Sequence, residues 1–344
     1  MPSTKPPSPP VIWLPRNYPA VCRHDLDLYQ RALAGFVPPD AFDAHAHLYT
    51  VRGLNLGVET SDEDARAEQG IDAFRRSLAC WMGDDCPKDG LFFAAPVNNR
   101  VDVAGENRFV AAEVADRPQS RAMMLIRPTD DPAAVESELL AGGFSGFKAY
   151  HLFAQASDTY QAAIDAFLPD WAWELADRHG LAIMLHMVRR RALSDPDNQG
   201  YIREHCRRYP HAKLVLAHAA RGFCAQHTID AIETLGGLEN VYFDTAAICE
   251  SGALEAVLRV FGPSRLMFGT DWPISNVRGR CVSVGDGFFW MYEHTVDFES
   301  APFCRPTLVG IESLLALRQA ARTCALTDSD VERIFRGTAR EVLD

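Results

Sequence analysis

Eight short, mostly apolar runs recur along the chain: AFDAHAH (41–47), LFFAAPV (91–97), AMMLIR (122–127), FSGFKAY (144–150), LAIMLH (181–186), KLVLAH (213–218), NVYFDT (240–245) and RLMFGTD (265–271). None alternates apolar with polar as a half-exposed strand would, so each predicts a strand buried on both faces. Helical periodicity lies between most of them. Ile164, Phe167, Leu168, Trp171 and Leu175 fall on one stripe, with Pro169 predicted to kink that helix. Leu254, Val257, Leu258 and Phe261 form another, with Ser251 as the expected N-cap and Gly262-Pro263 as the stop. Near the C-terminus, Thr327 and Asp330 suit a capping box ahead of Val331, Ile334, Phe335 and Val342.

Buried strands alternating with helices predict an α/β chain, a (β/α)8 TIM barrel. An open doubly wound sheet is the alternative, but it would usually carry a glycine-rich phosphate loop after its first strand, and the sequence has none. The segment 1–40 reads as a tail and extension. Its first ten residues hold five prolines and are expected to be disordered, and a helical patch runs over about Asp25 to Leu33. Residues 41–344 read as one barrel domain, because no linker or repeat divides them. About 60 residues separate the eighth run from RIFRGTA, which predicts an insert after strand 8 lying over the barrel mouth as a lid or specificity element.

Composition narrows the function. Of the 344 residues, 46 are Asp or Glu and 34 are Lys or Arg, a net charge of −12. An acidic surface repels phosphate backbones and anionic lipid, so nucleic-acid and membrane partners are not expected. No run is long and apolar enough for a membrane span, and the N-terminus lacks the apolar core of a signal peptide. Nine cysteines, an odd number without C-x-x-C spacing, argue for free thiols and a cytoplasmic setting. The expected partner is a small molecule; a homo-oligomer is left open.

The chemistry lies where the apolar runs end. The first ends in His45 and His47, the fourth in Lys148, Tyr150 and His151, the fifth in His186, the sixth in His218 and the eighth in Asp271. Strand ends are where barrel enzymes collect reactive groups. Residues two apart on a strand share a face, so His45 and His47 can serve one ion. With His186 and Asp271 they offer three nitrogens and a carboxylate, which suits one Zn²⁺, with Mn²⁺ or Fe²⁺ as alternatives. His218 reads as a further ligand or as an acid–base group.

The pieces DAHAHL (43–48), MLHM (184–187), KLVLAHAARGF (213–223), VYFDTAA (241–247), RLMFGTDWP (265–273) and RIFRGTAREVL (333–343), in this order, resemble the amidohydrolase superfamily. The closest resemblance is to its amidohydrolase-2 branch, with the aminocarboxymuconate-semialdehyde decarboxylase-like enzymes. The resemblance implies a metal held by His45, His47, His186 and Asp271, with His218 and Asp271 catalytic. It also implies hydrolysis by metal-activated water; a metal-dependent decarboxylase is the alternative, and a non-catalytic binding barrel a third reading. Lys148 is expected to be unmodified and to anchor an anion. His151, Arg189, Arg221, Arg278 and Arg280 are the other expected contacts to a carboxylated substrate, because a guanidinium matches a carboxylate in shape and charge.

Overall fold

The computed structural model describes residues 13–58, 60–301 and 303–344. The proline-rich first ten residues lie outside the described residues. All eight apolar runs contain strands. In chain order the strands are β1 (Phe42–Thr50), β2 (Glu68–Gln69), β3 (Asp89–Ala94), β4 (Arg121–Ala122), β5 (Met124–Leu125), β6 (Gly146–Tyr150), β7 (Ala182–His186), β8 (Lys213–Leu216), β9 (Val241–Asp244), β10 (Leu266–Met267), β11 (Gly279–Val284) and β12 (Gly287–Tyr292). The third run is thus broken at Met123 into two short strands.

The order β2-β1-β3-β4 makes one sheet and β10-β9-β8-β7-β6-β5 the other. All neighbours are parallel except the β1–β2 pair. Helices such as Asp170–His179, Pro196–Arg208 and Ser251–Phe261 link the parallel strands, as a parallel connection requires. Backbone bonds also run between the sheets. Ser145 N–H, just before β6, donates to Ala122 O of β4 (2.8 Å), Ala44 N–H to Phe268 O (2.8 Å) and His47 N–H to Trp272 O (2.9 Å).

Two expected helix starts are corrected. Pro169 does not kink a helix; it stands immediately before Asp170–His179, preceded by a short 3-10 turn at Ile164–Ala166. Proline has no N–H to contribute inside a helix, and a start costs none. Ser251 is the first residue of its helix, not the cap, and its hydroxyl donates to Glu255 at 2.8 Å. Gly262 ends that helix at φ 73°, and the Thr327–Asp330 capping box forms.

A helix at Arg23–Leu33 occupies the expected place in the extension. The segment after Asp271 forms the antiparallel hairpin β11–β12, ahead of the helix Val309–Thr323. One buried ion pair joins these additions. Arg278 donates to both oxygens of Asp25 (2.8 and 2.7 Å) and to Ala20 O (3.0 Å) and Pro306 O (3.1 Å), and Thr307 Oγ1 donates to Asp25 at 2.7 Å. Burial pushes the Asp25 carboxyl up, but these hydrogen bonds outweigh it and hold it below the ordinary range.

Candidate metal centre

Strand β1 carries a register irregularity between Asp43 and Ala46. Phe42 and Ala44 pack with Phe93, Met184 and Val215, whereas Ala46 and Leu48 join the larger apolar cluster on the other side. The irregularity therefore turns His45 and His47 onto the face that bears Phe93, whose ring lies 5.0 Å from His45 and 4.8 Å from His47. The Asp271 segment runs beside them. Asp271 N–H donates to His45 O (2.8 Å), and the residue takes a left-handed backbone, φ 59°. As a result Asp271 Oδ1 lies 3.2 Å from His45 Nε2 and 3.3 Å from His47 Nε2. Asp43 secures the turn from below, accepting from His45 N–H, Thr270 N–H and the Thr270 hydroxyl.

The protons of this cluster follow from its outer contacts. His45 Nδ1 faces Asp244 Oδ2 at 2.8 Å, and a carboxylate can only accept, so that nitrogen carries the hydrogen. His47 Nδ1 faces the carbonyl of Ala94 at 3.4 Å, which sets the same tautomer. Both Nε2 atoms are then lone-pair donors aimed at a third acceptor, Asp271 Oδ1. Three acceptors facing one another repel unless a cation lies among them. Their spacing also fits one, since tetrahedral bonds of ~2.0–2.1 Å to Zn²⁺ put ligand atoms about 3.3 Å apart. Nδ1–H donated to a carboxylate is the usual arrangement behind a metal-binding imidazole.

Electrostatics agree. Burial holds the His47 pKa down at about 4, against the pull of Asp271. Burial raises Asp271, but His218, His45 and His47 bring it well below the ordinary carboxylate value. For His45, burial and Lys148 lower the pKa, yet Asp244 and Asp271 prevail and raise it.

His186 stands apart from this trio. Among the described residues, the groupings with cation-compatible spacing are His45–His47–Asp271 and His45–His218–Asp244. His186 Nδ1 instead lies 3.0 Å from His218 Nε2. His218 Nδ1 faces Ala246 O at 2.9 Å and so bears a proton; its Nε2 accepts from His186 Nδ1–H, which leaves His186 Nε2 with the free lone pair. Burial lowers the pKa of both rings, that of His218 to about 4.

His218 is aimed by an unusual backbone. Residues 218–221 are all left-handed, with φ of 57°, 48°, 61° and 58°. One left-handed turn of non-glycine residues costs roughly 1–2 kcal/mol per residue, so the surrounding contacts must hold it. Asp244 Oδ1 does part of this by accepting from His218 N–H at 2.7 Å.

Lys148 is fully buried, with Nζ 3.3 Å from His45 Nε2 and 4.4 Å from the centre of the Phe93 ring. Burial pushes its pKa down to about 8, against the pull of Asp244 and Asp271. His151 is buried, bonded through Nδ1 to Thr159 and stacked 5.7 Å from His186.

The arginines divide. Arg278 is committed to Asp25, and Arg280 donates to Cys249 O (2.9 Å) and pairs with Glu312 (3.4 Å). The charge of Arg278, an expected substrate contact, is neutralised in this buried pair. Arg189 pairs with Asp195 and Asp197, although its Nε has no partner. Arg221 is 8% exposed, donates to Arg189 O at 3.0 Å and lies 5.4 Å from the Phe288 ring. Its Nε is buried and unbonded, and among the described residues no carboxylate pairs with it. Arg189 and Arg221 line one cavity of about 370 Å³ with Tyr160, Gln161 and Phe288.

Asp244 and Asp43 were missed as site residues. Asp244 ends the seventh apolar run, so the rule that picked out the other strand ends applies to it equally.

A family model described as Amidohydrolase, of the amidohydrolase-2 type, matches residues 42–344. The chain belongs to the amidohydrolase family. As an amidohydrolase it is an enzyme, a metal-dependent hydrolase or decarboxylase. It is 27% identical over 225 residues to an L-fucono-1,5-lactonase of Burkholderia ambifaria, covering 61% of this chain and 71% of that one. Its fold is similar to a zinc-bound amidohydrolase from Burkholderia multivorans (TM-score 0.55, 17% identity, 88% of this chain and 98% of that one). It is also similar to 5-carboxyvanillate decarboxylase LigW from Sphingomonas paucimobilis (TM-score 0.51, 15% identity, 89% and 99%).

Proposed function

We propose that this amidohydrolase is a hydrolase that opens a small carboxylated lactone, ester or amide with water activated by one divalent ion, Zn²⁺ before Mn²⁺ or Fe²⁺. His45, His47 and Asp271 hold the ion, and His186 turns its free Nε2 to complete the set. The two sheets then form one closed (β/α)8 barrel over 41–344; the backbone bonds from β1 to the β10 segment and from Ser145 to β4 support that reading. Nine free cysteines support a cytoplasmic enzyme, and no helix of the described residues is long and apolar enough to cross a membrane.

The observation that carries the substrate reading is Arg221. A buried guanidinium without a carboxylate is costly, because desolvation goes uncompensated. A substrate anion in the adjoining cavity, which Arg221 lines, compensates it. A bound divalent ion supplies Lewis-acid polarisation of the carbonyl and lowers the pKa of water. The protein does the rest. Asp244 keeps the proton on His45 Nδ1 and the lone pair on Nε2. His218 Nε2, with Nδ1 tied to Ala246 O, is the atom that accepts and returns a proton once His186 has turned away and no longer donates to it. Unmodified Lys148 places a donor beside the cluster for developing negative charge, and His151 borders the anion. Similarity to a lactonase at 27% identity favours hydrolysis.

A panel of lactones, esters and aromatic acids, followed by acid release and CO₂ evolution together, tests this. Arg221→Ala should raise KM for carboxylated lactones by roughly tenfold or more, the equivalent of one lost charged hydrogen bond, at unchanged metal content. Unchanged KM removes the anion reading, and CO₂ as product replaces hydrolysis with decarboxylation.

A further inference from the structure

His45 and His47 are held differently. His45 has a 2.8 Å bond to a buried carboxylate, whereas the Nδ1 contact of His47 to Ala94 O is stretched to 3.4 Å. Yet His47 Nε2 must stay near Asp271 if the trio is to act as one donor set. What restrains its ring is packing. Phe93 stands edge-on at 4.8 Å and 88°, His45 at 5.3 Å and 71°, and Trp13 at 6.0 Å and 84°. Trp13 comes from the N-terminal extension, outside the residues 42–344 that the family model covers.

The segment bearing Trp13 is fastened at several points. Leu14 is buried, Arg16 pairs with Asp64, the Tyr18 and Tyr49 hydroxyls bond at 2.6 Å, and Ala20 O accepts from Arg278. Trp13 also meets the Tyr49 ring at 5.5 Å and 80°, so its indole bridges two neighbours on β1. An indole fixed in this way blocks rotation of the His47 ring about its Cβ–Cγ bond in a way the weak Nδ1 contact cannot.

We propose that Trp13 is a positioning residue for His47, so that the N-terminal extension is a working part of the metal centre. The inference rests on the reading of His47 as a metal donor. Without the indole the imidazole samples other rotations, Nε2 leaves its place beside Asp271, and the site loses affinity.

The test is metal binding, not turnover. Zn²⁺ affinity is measured by competition with a chromophoric chelator, and Co²⁺ is used for its visible ligand-field spectrum. Trp13→Ala should bind Zn²⁺ about tenfold or more weakly, the scale for residues that orient a metal-binding histidine, and should shift the Co²⁺ bands. Trp13→Phe, which keeps a ring against His47, should restore most of the affinity and the wild-type spectrum. Co²⁺ should also quench a component of wild-type indole emission that Trp13→Phe lacks. If Trp13→Ala does not fold, Trp13→Leu replaces it. Zn²⁺ affinity within about twofold of wild type with an unchanged Co²⁺ spectrum overturns the proposal, as does a Phe variant as weak as the Ala one. Wild type that takes up no Zn²⁺ overturns the metal-dependent reading as well; wild type and Trp13→Ala binding alike overturns this proposal alone.

Discussion

Asp244→Asn is the sharpest probe of the site, because it changes almost nothing but the proton arrangement. Asp244 makes three contacts: Oδ2 with His45 Nδ1 at 2.8 Å, and Oδ1 with the N–H groups of His218 at 2.7 Å and Ala246 at 3.1 Å. An asparagine fills the same space, and its carbonyl can keep both backbone donors. Its NH₂ then faces His45 Nδ1, where two N–H groups would collide. His45 escapes by moving its hydrogen to Nε2, the atom aimed at Asp271 and Lys148. The metal-facing lone pair is lost, along with a charge-assisted hydrogen bond of about 1.5–3 kcal/mol. At about 1.4 kcal/mol per decade that is roughly 10- to 150-fold in metal affinity, in line with the ~10- to 100-fold seen when partners of metal-bound histidines are changed. Chelator competition with Zn²⁺ measures it directly, and thermal unfolding of the metal-free protein checks that the fold is intact. A variant that folds and binds Zn²⁺ as tightly as wild type refutes the assigned tautomer and the role of Asp244.

Two further outcomes concern the frame. Asp25→Ala leaves Arg278 buried without its partner and should cost about 3–5 kcal/mol at neutral pH, read from urea unfolding. Because the folded Asp25 carboxyl is held low, its contribution is complete above the unfolded value of about 3.9 and is lost progressively as pH drops from there through the lower folded value. The gap between wild type and variant should therefore narrow below about pH 4, and a gap under 1 kcal/mol at pH 7 refutes the account. Ala220→Gly removes a Cβ from a residue at φ 61°. It should raise the melting temperature through a gain of up to roughly 1–2 kcal/mol, and a drop would mean that the methyl packing there outweighs the strain.

What the sequence revealed was set by local rules. A strand buried on both faces is apolar until its end, so the polar residue that ends it announces itself: His45, His47, Lys148, His186, His218 and Asp271 all stand at such ends. Asp244 obeys the same rule, since it closes β9. The fate of Arg278 could not be read locally, since Asp25 lies 253 residues away. The left-handed turn at 218–221 was hidden for a different reason. Its sequence, His-Ala-Ala-Arg, contains no glycine to signal positive φ, and tertiary contacts impose the conformation. His186, expected beside the other ligands, is drawn to His218 by a hydrogen bond that residue spacing cannot foretell.

The contacts that organise β1 reach far along the chain. His45 meets Asp244 across 199 residues, and Asp43 meets Thr270 across 227. Closing such loops is slow, and their entropy must be met before the contact gives anything back. During synthesis, then, the first strand leaves the ribosome with a carboxylate and two imidazoles that have no partners. It cannot bury them stably until the seventh and eighth apolar runs have followed. The donor cluster is among the last features the nascent protein completes, and a chain truncated before Asp244 lacks the carboxylate that orients His45.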